Sequence, residues 1–282
     1  MKILLLDAYN LIHRAYHSPV TGENSGVYSF FRSLRPLIEK FDPDLVYFIL
    51  EGYPHHRFKE LPEYKGNRGK HSSEFHDQKD KIIGIMKQCF PFIVIRHPDY
   101  ECDDIIANLI WNMHATDECV VVSTDTDFLQ LYNDLHLVEI YNPIKKVFMS
   151  KPDIDYVKWK ALRGDASDNV QGLKGIGDKR ARKLLESPEI WEEFFIKRPD
   201  DKIIFEKNLR LIKFYDLGPA FEKECEIDYS PADFKKLKFY FNEMEFSSII
   251  KENAWNKFVD TFKKTTARAA QCLLDTARPI GG

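Results

Sequence analysis

The chain has 282 residues, a net charge of −3, 44% hydrophobic residues and 30% charged residues. This composition is that of a globular protein with one large α/β domain, or of a domain with a substantial attachment. The apolar stretches, such as residues 45–50, are too short to span a bilayer, which excludes a membrane-spanning protein. The five cysteines are odd in number and form no Cys-x-x-Cys pair, which argues against a zinc ribbon or a disulfide framework and favours a reducing cytosol.

Four apolar segments rich in Val, Ile and Leu are predicted to be buried parallel strands. They cover residues 3–6, 45–50, 92–95 and 119–122. The first of them is too short for a signal peptide and ends in an acid, so we interpret it as a strand. Helical patterns lie between the strands, at about residues 27–40, 75–88 and 103–113. Strands that alternate with helices predict a parallel sheet with helices on both faces.

Beyond about residue 150, short helical patterns replace the strand signals. They cover residues 153–162, 178–185, 202–214 and 231–241. We therefore predict an α/β core at residues 1–150 and a helical carboxy-terminal portion at residues 151–264. Residues 265–282 are weakly patterned and are predicted to form a frayed tail.

Three of the predicted strands lead directly into acidic residues. Asp7 follows the first strand and Glu51 follows the second. Asp125 and Asp127 follow the strand that ends at residue 122. Because ligands of parallel α/β sheets bind beyond the carboxyl ends of the strands, we expect these acids to converge on one site.

Two further acidic segments carry residues three positions apart, a spacing that places side chains on the same face of a helix. Glu101, Asp103 and Asp104 open a predicted helix, and Asp165 and Asp168 lie further along the chain. A single acid in such a position is usually a helix cap, and acids of a first turn can simply stabilise the helix dipole. Five acidic segments, three of them at strand ends, are harder to explain in that way.

Carboxylates that are held close together repel one another, which raises their pKa values and lowers stability unless cations compensate. The ion Mg²⁺ suits a site of a few carboxylates and several waters. Two such ions about 3.5–4 Å apart can stabilise both the attacking and the leaving oxygen of a phosphodiester bond. The acidic segments therefore predict a divalent-metal-dependent nuclease.

At these residues the chain resembles the 5′ nucleases, the family of the flap endonuclease–exonuclease domain of bacterial DNA polymerase I and its free-standing phage relatives. The motifs occur in the family's order, lie within residues 1–186 and are highly specific when taken together. They are DAYN at residues 7–10, LPEYKGNR at 61–68, ECDD at 101–104, STDTD at 123–127, GDASDN at 164–169 and GLKGIGDK at 172–179. The resemblance implies a PIN-like parallel sheet flanked by helices, a helical arch at about residues 55–90 and a helix–three-turn–helix in the carboxy-terminal portion.

The resemblance assigns nine carboxylates to two Mg²⁺ ions, for which Mn²⁺ can substitute. The first ion would be held by Asp7, Glu51, Glu101, Asp103 and Asp104, and the second by Asp125, Asp127, Asp165 and Asp168. The family commonly has Asp at the position of Glu51. The longer side chain of Glu51 would shift the metal or act through a water molecule.

Five basic residues and two acids lie between residues 57 and 70, which on its own is typical of a solvated surface segment. The resemblance places this segment at the entrance of the arch, where Lys65 and Arg68 match residues that contact the scissile phosphate. Tyr64 would stack on an unpaired base, and residues 70–87 would be disordered without DNA. Arg14, which is near Asp7, would reach the DNA or pair with the acidic cluster.

The glycine-rich segment at residues 172–177 follows a helix and a loop rather than a strand, so it is not a dinucleotide-binding fingerprint. The resemblance implies that Gly172, Gly175 and Gly177 form a turn that grips duplex backbone and holds a K⁺ ion. Lys160 and Lys179 match positions that contact phosphates. A solvated helix would carry similar charges, so the glycine turn favours DNA binding but does not decide it.

These residues predict a structure-specific 5′ nuclease, with 5′-3′ exonuclease and flap endonuclease activity, that acts on DNA with a 5′ single-stranded end or flap next to duplex. The net charge is compatible with this partner, because nine acids are assigned to metals and the rest of the chain is mildly basic. We expect a monomer, without a membrane partner, in the cytoplasm of a bacterium or of a phage-infected host, with a role in DNA replication and repair.

Two alternative functions remain open from the sequence. One is an RNA-directed nuclease with RNase H-like activity, and the other is a DNA-binding scaffold without catalysis. The balance between exonuclease and flap cleavage is also left open.

Overall fold

The computed structural model describes residues 1–133 and 137–276, except for the side chains of residues 133 and 266–276. Its strands, in chain order, are β1 (Lys2–Asp7), β2 (Leu45–Ile49), β3 (Ile93–Arg96), β4 (Glu118–Val122), β5 (Val138–Asn142), β6 (Val147–Phe148), β7 (Gly164–Asp165), β8 (Val170–Gln171) and β9 (Glu226–Tyr229). Its helices are α1 (Ala8–Tyr16), α2 (Ser25–Phe41), α3 (His55–Glu60), α4 (Ser73–Cys89), α5 (Cys102–Asn108), α6 (Tyr156–Arg163), α7 (Asp178–Leu185), α8 (Pro188–Lys197), α9 (Pro199–Ile212), α10 (Phe234–Glu243), α11 (Ser247–Ile250) and α12 (Glu252–Thr276). None of the helices in these ranges is both long enough and apolar enough to cross a membrane.

Seven strands form the central sheet, in the order β6-β5-β4-β1-β2-β3-β9. Strands β1 to β5 are parallel, and β6 and β9 pair antiparallel at the two edges. The parallel strands are buried almost throughout because helices cover both faces, which explains their runs of Val, Ile and Leu. The predicted parallel α/β sheet is confirmed.

The two faces of the sheet support separate apolar cores. On one face, side chains such as Phe31 from α2 and Phe90 after α4 stack with ring centroids 5.4 Å apart. On the other face, Ile105 and Ile106 of α5 pack against the strands. A third core lies within α6, α7, α8 and α9, away from the sheet.

Residues from both sides of the expected boundary near residue 150 share the first core. Strand β9 completes the sheet beside β3, and Phe241 of α10 and Phe262 of α12 pack into the same cluster as Phe31 and Phe90. Residues 265–276 continue α12 rather than form a frayed tail, and the rest of that expected tail, residues 277–282, lies outside the described residues. The helical portion is therefore divided between the first core and the third core.

The expected disorder of residues 70–87 is not observed. Ser72 caps α4 by accepting a hydrogen bond from the Phe75 amide at 3.2 Å. Phe75, Ile82 and Met86 then lie on one buried face of the helix, because their spacing follows its period. This packing fixes α4 against α1 and α2.

A short hairpin of β7 and β8 follows α6 and carries one of the acidic motifs. Gly164 has a left-handed φ of 78°, and a Cβ on Gly172 would lie 2.0 Å from the carbonyl oxygen of Arg163. Both glycines are required because the two backbones approach so closely. The close approach at these two glycines restricts the backbone of Asp165, which directly follows Gly164 at the end of α6.

Candidate active site

Asp7 ends the central strand β1 and is the first residue of the site. Its carboxylate accepts hydrogen bonds from the Asn10 amide at 3.1 Å, which caps α1, and from Ser123 Oγ at 2.7 Å. Burial raises the pKa of Asp7 to about 6, and the nearby carboxylate of Asp125 contributes to the increase. The central strand therefore delivers an acid whose ionised form lacks full compensation from protein groups.

Glu51 lies two residues beyond the end of β2, next to β1 in the sheet. Its Oε2 accepts a hydrogen bond from the Cys102 amide at 3.2 Å, at the start of α5. Burial raises the pKa of Glu51 to about 7; the charge of Lys65 opposes this increase and that of Glu101 adds to it. Glu51, at the position where the family commonly has Asp, therefore still lies close to the other acids.

Asp103 of α5 and Asp125, which follows β4, lie close to the same group of acids. Burial raises the pKa of the Asp103 carboxyl well above its usual value, and the nearby charges of Asp125 and Asp7 act in the same direction. The Asp125 amide donates to Ser123 Oγ at 3.0 Å, and its Oδ1 accepts from the Asp127 amide at 2.9 Å. These local hydrogen bonds fix the loop after β4 so that both of its acids face the site.

Asp127, Asp165 and Asp168 form a second acidic group. One carboxylate oxygen of each lies within 4.8 Å of an oxygen from each of the other two. Lys160 Nζ contacts Asp127 and lies 2.6 Å from Asp165 Oδ2. Burial opposes the charged form of Lys160, but the two carboxylates outweigh it and raise the lysine pKa above its usual value.

Acids from both groups line one small cavity, although Asp7, Glu51 and Asp125 are not among its lining residues. Its acidic lining consists of Glu101, Asp103, Asp127, Asp165 and Asp168. All of these donors are carboxylate oxygens, the ligands that hard divalent cations prefer. The raised pKa values of Asp7, Glu51, Asp103 and Asp127 show that protein groups alone do not neutralise the site. The donor set therefore fits divalent cations bound between the acids.

Lys65 and Arg68 lie at the rim of the cavity, and 18% and 50% of their side chains are exposed. The Lys65 ammonium contacts Glu101, and its backbone amide donates to the Asp168 carbonyl oxygen at 3.0 Å. Arg68 Nη2 lies 2.5 Å from Asp168 Oδ1. Lys65 has a left-handed φ of 56°, an uncommon conformation that these contacts maintain at a functional position.

Asp104 was expected to be a metal ligand, and the structure gives it another role. The Asp104 side chain is fully buried, and both of its carboxylate oxygens accept hydrogen bonds from Arg57, at 2.7 and 2.8 Å. One oxygen also accepts from the Tyr215 amide at 3.0 Å. Both carboxylate oxygens are thus occupied by buried protein donors and are not free for a cation in the cavity. The expectation that Asp104 is a metal ligand is wrong, and its carboxylate instead neutralises Arg57.

Tyr64 was expected to stack on a base, but it is only 3% exposed. Its ring packs in the third core, and its hydroxyl lies 3.1 Å from Glu101 Oε2 and 2.9 Å from Asp168 Oδ2. The ring face is therefore not available to DNA. Lys160 likewise points into the acidic group rather than toward the surface where a phosphate would bind.

Arg14 lies at a distance from the acids named above. It lines a separate cleft between α2 and the β5–β6 turn, together with Arg32, Lys40, Tyr141 and Lys146. The expected pairing of Arg14 with the acidic cluster is not found among the hydrogen bonds and ion pairs of the described residues. Its contact with DNA stays a prediction.

The predicted glycine turn lies between β8 and α7. Gly172 packs against the end of α6, whereas Gly175 has a left-handed φ of 78° and Gly177 precedes the first residue of α7. Within the described residues, no side chain caps α7. Lys179 on this first turn is exposed. The arrangement suits an anion at the turn, although the helix–three-turn–helix itself stays a prediction.

The sequence reasoning missed several residues of the site. Arg57 was only one of five basic residues in its segment, although it is 2% exposed and binds two acids. Ser123 Oγ binds Asp7, and the Asn10 side chain binds Thr124 at 2.8 Å. The position of Ser123 directly between β4 and its acids was a usable signal, whereas nothing in the local pattern distinguished Arg57.

The comparisons with known proteins agree with this geometry. Residues 2–160 match the sequence model of the 5′-3′ exonuclease, N-terminal resolvase-like domain. A 5′-3′ exonuclease from Aquifex aeolicus is 30% identical over an alignment of 281 positions, which covers 89% of this chain and 95% of the relative. DNA polymerase I from Treponema pallidum is 35% identical over an alignment of 206 positions, which covers 65% of this chain but only 20% of that protein.

A solved structure shows the same fold. The flap endonuclease from bacteriophage T5, in a pseudo-enzyme-product complex with DNA and metal ions, has a TM-score of 0.63 and 19% identity. The superposition covers 96% of this chain and 100% of the phage protein. A parallel sheet that gathers acids from five segments at one end defines the class of metal-dependent nucleases. Within that class, the chain belongs to the 5′-3′ exonuclease family.

Proposed function

We propose that the protein is a structure-specific 5′ nuclease that hydrolyses phosphodiester bonds in DNA beside a single-stranded 5′ end or flap. The observation that carries this proposal is the convergence of acids from five segments, three of which line one cavity, with Lys65 and Arg68 in contact with two of the lining acids. A cluster of acids is not needed to bind DNA, because acids repel its phosphates. In a DNA-binding family, such a cluster is best explained by metal-assisted hydrolysis.

Two groups of residues would hold two Mg²⁺ ions, for which Mn²⁺ would substitute. They are Asp7, Glu51, Glu101 and Asp103 for the first ion, and Asp125, Asp127, Asp165 and Asp168 for the second. When bound, such ions supply an activated water and stabilise the charge on the attacking and leaving oxygens. The remaining residues orient the substrate and neutralise charge.

Lys65 is suited to neutralise the scissile phosphate. Burial opposes its charged form, but Glu101 and Glu51 outweigh this effect and raise its pKa, so the ammonium stays protonated through neutral pH. A fixed cation next to developing negative charge lowers the activation barrier. Arg68, which is half exposed, presents a planar fork that matches phosphate oxygens.

Residues of α6, the glycine turn and α7 would grip the duplex backbone next to the cavity. The amides at the start of α7, which no side chain of the described residues caps, and the exposed Lys179 are suited to a phosphate, and a K⁺ ion would bind in the turn near Gly175. Because the acids of β7 lie in the same segment, a duplex held there would extend toward the cavity.

A cleavage assay on a 5′-labelled flap DNA, with Mg²⁺, Mn²⁺ or a chelator, tests the proposal. Asp125→Asn should abolish cleavage, because it removes a ligand charge, while flap affinity measured in Ca²⁺ should survive. Asp260→Asn is the matched control, since Asp260 is exposed on α12 and its side chain pairs only with Lys263 in the described structure. Equal turnover by Asp125→Asn and wild type would refute the metal assignment.

The same assay distinguishes the two alternative functions. Faster cleavage of an RNA–DNA hybrid than of the DNA flap would favour an RNA-directed nuclease. Flap binding without cleavage in any metal would favour a scaffold. The intact set of acids in both groups supports catalysis over the scaffold.

A further inference from the structure

Arg57 lines the acidic cavity, and its guanidinium is almost completely enclosed by protein. The side chain projects from α3 and is 3% exposed. Its Nε donates to the Leu211 carbonyl oxygen at the end of α9, at 3.0 Å. Nη1 lies 2.5 Å from Glu101 Oε2 and 2.7 Å from Asp104 Oδ2, and Nη2 lies 2.8 Å from Asp104 Oδ1. One arginine thus joins three helices at the base of the site.

Asp104 and Glu101 divide the guanidinium unequally. Asp104 takes the parallel two-bond contact and supplies the one negative charge that neutralises the arginine. Glu101 receives only the remaining Nη1 contact, through Oε2. The pairing of Arg57 with Asp104 is therefore complete without Glu101, and the third contact acts on the orientation of Glu101.

The two oxygens of Glu101 have different surroundings. Oε2 is held by Arg57 and by the Tyr64 hydroxyl at 3.1 Å, on the protein side. Oε1 contacts the ammonium of Lys65, which is 18% exposed. Oε2 has two buried donors, whereas the Lys65 ammonium is the single partner of Oε1 among the described residues. Oε1 is therefore the oxygen that can turn to a cation.

We propose that Arg57 is a positioning residue that makes Glu101 a one-oxygen ligand of a divalent metal. This role rests on the metal-dependent function proposed above. An octahedral ion such as Mg²⁺ has few coordination positions, and a carboxylate that binds through both oxygens occupies two of them. By holding Oε2, Arg57 keeps one more position for water or for a substrate oxygen. Partners of this kind fix the direction of the ligand, and their loss weakens metal binding.

Two variants separate this role from a purely structural one. Arg57→Met together with Asp104→Leu removes the complete buried ion pair, so no unpaired charge is left inside the protein. Arg57→Lys keeps a positive charge but loses the planar fork. Thermal melts in chelator, followed by circular dichroism, establish that each full-length variant is folded at the temperature of the assays.

Metal binding is then measured by calorimetric titration with Mn²⁺ alone, and cleavage of the flap is measured against Mg²⁺ concentration. We expect the folded double variant to need about 10–100-fold more Mg²⁺ for half-maximal rate and to bind Mn²⁺ correspondingly more weakly. Arg57→Lys should show a smaller shift in the same direction. Unchanged Mn²⁺ affinity in a folded variant would overturn the role of Arg57.

A crystal structure of the wild-type protein with Mn²⁺ gives a test that does not depend on the folding of any variant. Coordination by Glu101 Oε1 alone, with Oε2 on Arg57, supports the proposal, and coordination by both oxygens overturns it. Failure of the proposed function is distinguishable. Wild type that binds Mn²⁺ without cleaving DNA refutes the nuclease, while wild type that binds no Mn²⁺ refutes the metal site and the role of Arg57 together.

Discussion

Lys160→Met should destabilise the protein in chelator and much less in Mg²⁺. The Lys160 ammonium contacts Asp127 and lies 2.6 Å from Asp165, and the three side chains are only 9–15% exposed. Removing one partner of a fully buried ion pair costs about 3–5 kcal/mol, because the other charge is left unpaired. The partial exposure of this group reduces the cost to about 2–3 kcal/mol. For a protein of this size, that corresponds to a loss of roughly 4–12 °C in Tm.

A divalent cation bound by the same acids would replace the missing ammonium, so Mg²⁺ should restore most of the lost Tm. Differential scanning calorimetry of wild type and variant, in chelator and in Mg²⁺, measures the difference. Lys158→Met is the matched control: Lys158 lies on the same helix, is 50% exposed and pairs with the surface residue Asp155, so its loss should change Tm little in either condition. An equal Tm loss for Lys160→Met with and without Mg²⁺ would contradict the replacement of the ammonium by a cation.

Three further outcomes follow from the site. In chelator, lowering the pH from 8 toward 5 should raise Tm, which melts across this range measure. The cause is that the folded-state pKa values of Asp7, Glu51 and Asp127, about 6, 7 and 6, lie above their unfolded values, so protonation stabilises the fold. Bound Mg²⁺ should reverse this dependence on pH. Lys65→Ala should lower turnover by about 10²–10³-fold, with duplex affinity in Ca²⁺ reduced far less; an equal loss in both quantities would make Lys65 a binding residue only. Gly172→Ala should lower both Tm and turnover, because its Cβ would lie 2.0 Å from a backbone oxygen at the end of α6; a variant with wild-type melting and cleavage would show that the hairpin can move.

The parallel sheet and the acids at its carboxyl edge were predictable because both follow from local patterns. Runs of Val, Ile and Leu mark strands buried on both faces, and an acid directly after such a run has to lie at the edge where parallel strands end. Asp7, Glu51 and Asp125 meet there, as expected.

The individual partners of these acids were not predictable, because they depend on contacts between distant segments. The spacing of Glu101 and Asp104 places both on one helix face, but it cannot show that Arg57, 44 and 47 residues away, would take Asp104. Tyr64 was expected to stack on an unpaired base, and the third core buries it. The helical periodicity of α6 likewise leaves open whether Lys160 faces solvent or the acids.

The division of the chain was predicted from the change of pattern near residue 150. In the structure, residues from both sides of that position pack into the first core. A four-residue antiparallel edge strand such as β9 has no strong local signal, since its residues are mostly exposed. The aromatic residues of α10 and α12 were visible in the sequence, but their partners in the first core lie more than one hundred residues earlier.

The late arrival of β9 and α12 has a consequence for the synthesis of the protein. Every acid proposed as a metal ligand has been translated by residue 168, yet Phe90 and Phe31 lack their final partners until Phe241 and Phe262 follow. A nascent chain halted after residue 170 should therefore be digested readily by protease, whereas one released after residue 276 should resist. During translation, all the proposed metal ligands would therefore be present before the protein can fold. The first core would be completed only after α12 has been synthesised.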